Sequence, residues 1–138
     1  VFNPSMFPMY VKLAREYSVP FFCPRVAAGQ PAIAGVLRED DPLMDGMAMA
    51  SPTVKPEGWP AFYEDVLKQL KPGLTYLIVH LGYNDAELQA VMSEQAPFGA
   101  AWRQRDFDVL TSPGFARAIK DNGVILVGWK DVKKLMTK

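Results

Sequence analysis

The stretch Thr75-Tyr-Leu-Ile-Val-His80-Leu-Gly-Tyr-Asn84 constrains this chain more than any other. A short apolar run rich in aromatic and branched residues, closed at once by a glycine turn, has the make-up of a buried strand in a parallel sheet. Tyr76 to Val79 forms that strand, and it ends on His80, the only histidine of the chain. In α/β sheets the carboxyl ends of the strands form the crevice in which ligands bind. An imidazole delivered there by a rigid strand is a candidate proton donor or acceptor near neutral pH. The competing assignment is a histidine that caps the next helix or fills a polar gap in a loop.

The flanking segments alternate between helical and strand patterns. Ser5 can cap a helix in which Met6, Met9, Tyr10, Leu13 and Tyr17 recur at helical spacing. Val19 to Cys23 has the pattern of a short strand, with its core at Pro20–Phe22, stopped by Pro24 and followed by Arg25. From Val26 to Lys55, proline, glycine and acidic residues break up short apolar pieces. That predicts a long, loosely structured excursion of the kind that serves as a lid or binding loop. Pro60 suits the first turn of a helix whose apolar stripe is Phe62, Val66, Leu67 and Leu70, ended by Pro72-Gly73. Asn84 can cap the next helix with Glu87 as capping-box partner and Leu88, Val91 and Met92 on its inner face. Trp102 to Leu110 is helical, Ser112-Pro113 restarts a helix to Asp121, and Asn122-Gly123 stops it. Val124 to Val127 is a further strand, with a final short helix from Asp131.

This alternation predicts an α/β fold of parallel strands with crossover helices. So few strands make a thin sheet for so many amphipathic helices, and a parallel sheet needs both faces buried. The opening Val1-Phe2-Asn3-Pro4 has no initiating methionine. The expectation is therefore a single domain over residues 1–138 that forms the carboxyl-terminal part of a larger one, with a sheet edge left open.

Composition excludes several classes. The formal net charge of the 138 residues is zero and 49% of them are apolar, an ordinary globular make-up. A balanced chain has no electrostatic footprint for nucleic acid or for an anionic membrane surface. Neither the acids Glu39-Asp40-Asp41 nor the basic tail Lys130 to Lys138 is long enough to change that. No apolar run reaches the roughly 18 to 20 residues that span a bilayer, and no secretion leader pattern is present, so a cytoplasmic location is expected. Cys23 is alone and cannot form an intramolecular disulfide. There is no phosphate-cradling glycine loop, nucleophile elbow or CxxC pair. Asp40, Asp41 and Asp45 lack the alternating ligands and central glycine of a calcium loop. Arg103 and Asp106, three apart on one helix, are expected to form a structural ion pair. Trp59, Trp102 and Trp129 can stack on sugar faces or anchor a core, and Tyr83 is close enough to His80 to line the same pocket.

Taken together, Pro72-Gly-Leu-Thr-Tyr-Leu-Ile-Val-His-Leu-Gly-Tyr83, Arg103-Gln-Arg-Asp106 leading into Leu110-Thr-Ser-Pro113, and Gly123-Val-Ile-Leu-Val127 resemble the carboxyl half of YdjC-like carbohydrate deacetylases. The resemblance reaches back through Tyr17-Ser-Val-Pro20 and Pro24-Arg25, and so covers most of the chain outside residues 27–56. Leu81 replaces the usual proline, and Asp106 stands where glutamate is common. The resemblance implies a hydrolase dependent on a divalent metal, magnesium or zinc, on a distorted (β/α) barrel of which this chain would be part. It would remove the acetyl group of an N-acetylated sugar or oligosaccharide. The family holds its metal with an aspartate and two histidines beside an aspartate base, all in the amino-terminal half. None is matched here, and a chain with one histidine cannot furnish a two-histidine site. No metal is therefore expected on this chain alone.

Carried over by the resemblance, His80 is the general acid that protonates the leaving amine, and Arg25 orients a catalytic carboxylate through a bidentate pair. Tyr83 and Trp102 are the candidate substrate contacts. The implied partners are the sugar substrate, an absent amino-terminal half and, in a homodimer, a second copy. The alternative is a non-catalytic α/β binding or scaffolding module in which His80 has no catalytic partner.

Overall fold

The structure is a computed structural model that describes residues 3–92 and 97–136. The opening Val1-Phe2 and the end of the basic tail, residues 137 and 138, lie outside the described residues. In chain order the elements are α1 (Phe7–Glu16), α2 (Pro31–Ala34), β1 (Gly46–Met49), α3 (Trp59–Gln69), β2 (Thr75–Ile78), α4 (Ala86–Val91), α5 (Ala100–Leu110), α6 (Pro113–Asp121) and α7 (Trp129–Leu135). The two strands pair in a parallel sheet, which makes the fold α/β. Contacts divide the chain into two compact units: Val1–Met47, Pro72–Tyr76 and Leu126–Lys138 in the first, Ala48–Lys71 and Leu77–Ile125 in the second. Among the described residues no helix is long and apolar enough to cross a membrane.

In the first unit α1 buries Phe7, Val11 and Ala14 against Phe21, Cys23, Ala27 and Ile33. This is the other stripe of the helix from the one that apolar spacing brings out. Met6, Met9, Tyr10, Leu13 and Tyr17 are all exposed. The aromatic edge contact of Phe7 with Phe21, 6.0 Å between centroids, sets that rotation. Asn3 rather than Ser5 caps the entry, because Pro4 starts a 3-10 turn that runs straight into α1 and moves the cap upstream.

The strand expected at Pro20–Phe22 does not form. A ladder needs successive N–H donors, which Pro20 and Pro24 lack. The Phe22 N–H donates to the Tyr10 hydroxyl at 2.9 Å instead. What remains is one parallel bridge, Pro24 with Met44.

The excursion after Val26 is also better ordered than expected. Arg15 donates to Asp41 Oδ2 at 2.7 Å and to Val36 O at 2.9 Å, and the Arg38 N–H closes on the same Asp41 oxygen at 2.6 Å. The chain then enters β1, where the Asp45 N–H donates to Leu74 O at 2.8 Å. Glycine and methionines give β1 no strand signature of its own, so the neighbouring backbone supplies it.

In the second unit α3, α5 and α6 enclose Trp59, Tyr63, Leu67, Trp102 and Phe115. The α3 stripe is anchored by Trp59 and Tyr63, with Phe62 and Leu70 only partly buried. Burying side chains of this size contributes roughly 1.5–3 kcal/mol each. Asp85, one residue after Asn84, caps α4 by accepting from Leu88 N at 2.9 Å. Ser112 caps α6 as its sequence signature predicts, accepting from Phe115 N at 3.1 Å, and Gly123 takes the left-handed φ of 64° that stops the helix. The strand expected at Val124–Val127 is absent. The Val124 N–H turns back to Ile119 O, and Ile125 and Leu126, 83% and 74% exposed, have no strand to pair with among the described residues.

Candidate functional site

His80 stands two residues beyond β2, as the apolar run predicts, and its position is fixed through the backbone. The His80 N–H donates to Asp106 Oδ2 at 2.8 Å. Its imidazole stacks on Phe98, with centroids 4.4 Å apart and planes inclined by 26°. Its Nδ1 is buried and has no hydrogen-bond partner among the described residues. A buried polar atom without a partner is costly, which sets this nitrogen apart from most polar atoms of the second unit.

Asp106 is the hub of this arrangement and is 1% exposed. Its Oδ1 accepts from the Trp59 indole N–H at 2.8 Å and from the Tyr63 hydroxyl at 2.6 Å. The expected Arg103–Asp106 pair does not exist. Asp106 faces the core one turn from Trp102, whereas the Arg103 Nε–H donates to Phe98 O at 2.9 Å. Burial, then the hydrogen bond to Asp106 and its charge, push the Tyr63 phenol far above its ordinary range. Tyr63 is therefore a permanent donor to a carboxylate that draws α3, α5 and the end of β2 together.

Phe98 connects the parts. It lies between His80 and Trp102, 4.9 Å from the latter, and adopts φ of 74°, a strained value for an aromatic residue. Trp102 is 7% exposed and also meets Trp59 edge-on at 4.7 Å. Tyr83 is 60% exposed, with its ring 4.7 Å from Phe107 on α5. A Cβ at Gly82 would come within 2.9 Å of Leu88 Cδ2, so a side chain there would make Leu88 shift.

Arg25 belongs to the first unit, whereas His80, Tyr83 and Trp102 belong to the second. The Arg25 Nε–H donates to Asp45 Oδ1 at 2.6 Å, and Asp45 Oδ2 accepts from Leu74 N at 2.9 Å. The pair is thus made through a single nitrogen, to a residue of this chain. Gly73 permits it, since at φ of 133° a Cβ would lie 2.6 Å from Asp45 Oδ2. The Arg25 hydrogen bond, followed by that of Leu74, holds the Asp45 carboxyl below the usual range.

A depressed carboxyl stabilises the fold above its ordinary value, about 3.9, and that contribution is lost as pH falls through the lower native value. The carbon-13 titration of Asp45 should accordingly have a midpoint below that of an ordinary aspartate and move back towards it in Arg25→Gln. An ordinary midpoint in the unmodified protein would show that the clip does not persist in solution.

Holding a divalent ion requires several oxygen, nitrogen or sulfur donors to converge. Among the described residues no three His, Cys, Asp or Glu do so. The described residues, with the single histidine of the chain among them, do not fit the two-histidine metal site that the resemblance implies.

The family model described as YdjC-like protein matches residues 1–121. The chain belongs to the YdjC-like family. In fold, this YdjC-like chain is similar to the crystal structure of a proposed cellobiose-phosphate cleavage protein from Enterococcus faecalis V583, with a TM-score of 0.63 and 22% identity. The match covers 94% of this chain and 48% of that one, so the YdjC-like chain spans about half the length of that structure. No curated protein matches it. Sequence reasoning missed Tyr63 and Phe98 around His80 in the second unit and the role of Asp45 beside Arg25 in the first. Only Tyr63 left a trace, four residues after Trp59 on the same helix face.

Proposed function

We propose that this chain is one half of the catalytic domain of a carbohydrate deacetylase, whose companion half completes a (β/α) barrel and holds a divalent metal, magnesium or zinc. The observation that carries the reading is His80, with Nδ1 unpartnered among the described residues, at the end of a strand within the stretch that the family model matches. In the reaction a water molecule would give a proton to the aspartate base of the companion half as its oxygen bonds to the acetyl carbon, and the C–N bond breaks. The leaving nitrogen keeps the electron pair and takes a proton from the His80 imidazolium, giving acetate and the free amino sugar. The metal would polarise the acetyl oxygen and the attacking water. Asp106 fixes the strand end that presents the imidazole. Tyr83, exposed three residues further along the chain than His80, would contact the sugar, and Trp102 would form part of the substrate pocket wall. Arg25 would turn from Asp45 to a carboxylate of the companion half.

The absence of a donor cluster among the described residues favours, for the chain on its own, a second reading as a binding or scaffolding module. Acetate release from N-acetylglucosamine oligomers, followed by proton NMR, separates the two. A longer protein that includes the companion half should release acetate with magnesium or zinc present, and this chain alone should not. No release by the longer protein would remove the deacetylase reading. Release by this chain alone would remove the need for a companion.

A further inference from the structure

Phe98 has φ of 74°, a left-handed value that bulky residues rarely take and that persists only where the surroundings over-determine it. Three contacts within the second unit do so. The Arg103 Nε–H donates to the Phe98 carbonyl at 2.9 Å, and Trp102 meets the Phe98 ring edge-on at 4.9 Å. The third is the stack of Phe98 on the His80 imidazole at 4.4 Å. Trp102 and Arg103 are neighbours on α5, so the helix that begins two residues after Phe98 holds both its ring and its carbonyl.

The bond from the His80 N–H to Asp106 at 2.8 Å fixes the backbone of His80, but two side-chain torsions separate that backbone from the imidazole. A catalytic imidazole is ordinarily oriented by a hydrogen bond from one ring nitrogen to a carboxylate or carbonyl. At His80 the Nδ1 has no such partner among the described residues. The imidazole instead lies within 26° of the Phe98 plane, and turning either torsion would break that stack or drive one ring into the other. Both restraints lead to the same core residue. Asp106 accepts from the Trp59 indole N–H at 2.8 Å, and Trp59 packs edge-on against Trp102 at 4.7 Å. Filling space beside Trp102 does not of itself require a costly backbone, whereas setting a ring face against the imidazole gives that cost a function.

We propose that Phe98 is a positioning residue whose ring, held at positive φ by Arg103 and Trp102, fixes the His80 imidazole in the orientation from which it delivers a proton. The catalytic consequence rests on the deacetylase reading of His80, and the fixing of the ring does not.

The test reads the three-bond α-to-β proton couplings of His80, which are unambiguous because the chain has one histidine. In the unmodified protein they should be those of a single rotamer. Phe98→Gly removes the ring but keeps a backbone that glycine adopts freely, and should average them. Phe98→Tyr keeps an aromatic face and should restore the single rotamer. In the protein that carries the companion half, Phe98→Gly should lower kcat for acetate release by roughly tenfold to a hundredfold with KM little changed, the effect of a misplaced catalytic group. Phe98→Tyr should recover most of that loss. A residue of purely structural value would lower the melting temperature of Phe98→Gly and leave the couplings unchanged, and that result in a folded variant overturns the proposal. So do averaged couplings in the unmodified protein, and averaged couplings in Phe98→Gly with undiminished kcat. Should Phe98→Gly fail to fold, Arg103→Met removes the donor to the Phe98 carbonyl, keeps the side-chain stem and is read by the same couplings. A longer protein that releases no acetate removes the deacetylase reading, and the couplings then decide by themselves whether Phe98 fixes the ring.

Discussion

Replacing His80 with glutamine in a protein that carries the companion half should lower kcat by about two to four orders of magnitude, the usual contribution of a positioned general acid. Glutamine keeps the size and some hydrogen bonding of the imidazole but cannot deliver a proton near neutral pH. Its backbone N–H would still donate to Asp106, as that of His80 does at 2.8 Å, so the strand end should keep its place. Steady-state kinetics of acetate release gives the first number and metal analysis the second, which should be normal. Unchanged turnover would take His80 out of the mechanism. Loss of metal would make it a ligand, and loss of folding would mean that its stack on Phe98 is purely structural.

The second large effect lies beneath the site. In Asp106→Ala the Trp59 indole N–H, the Tyr63 hydroxyl and the His80 N–H all lose their acceptor inside the core. Each buried orphan costs roughly 1–3 kcal/mol, and because the three are coupled the total should be about 3–5 kcal/mol, measured by urea unfolding. Asp106→Asn is the finer probe. Its amide oxygen can replace Oδ1 and satisfy Trp59 and Tyr63, but the NH2 group then opposes the His80 N–H. That variant should fold while displacing the resonance of His80, which is unambiguous because the chain has one histidine. An Asp106→Ala protein as stable as the original would refute the hub.

The legible parts of this molecule are those decided locally. Four consecutive apolar residues followed by a glycine turn marked β2 and put His80 at its end. Ser112, Pro113 and Gly123 marked both ends of α6, because caps and left-handed stops are matters of a few adjacent atoms. Illegible parts were settled by distant partners. Phe22 N–H is diverted by a hydroxyl 12 residues away, and the strand it would have joined disappears. Asp106 had an arginine three residues before it on its own helix, yet takes its donors from residues 43 and 47 positions back, because the helix packs that side inward. Phe98 offered no sign that it would sit between a histidine and a tryptophan. The strand signature of Val124–Val127 is real in composition but needs a neighbour, and composition cannot provide one.

Cys23, fully buried in the first unit, has a chemical corollary. Thiol reagents attack the thiolate, and here burial, helped by the charge of Asp41, holds the thiol above its usual range. Alkylation must therefore wait for the packing around α1 to open. Its rate counts those openings. One sulfur atom makes the breathing of half this chain a quantity that a reagent can clock.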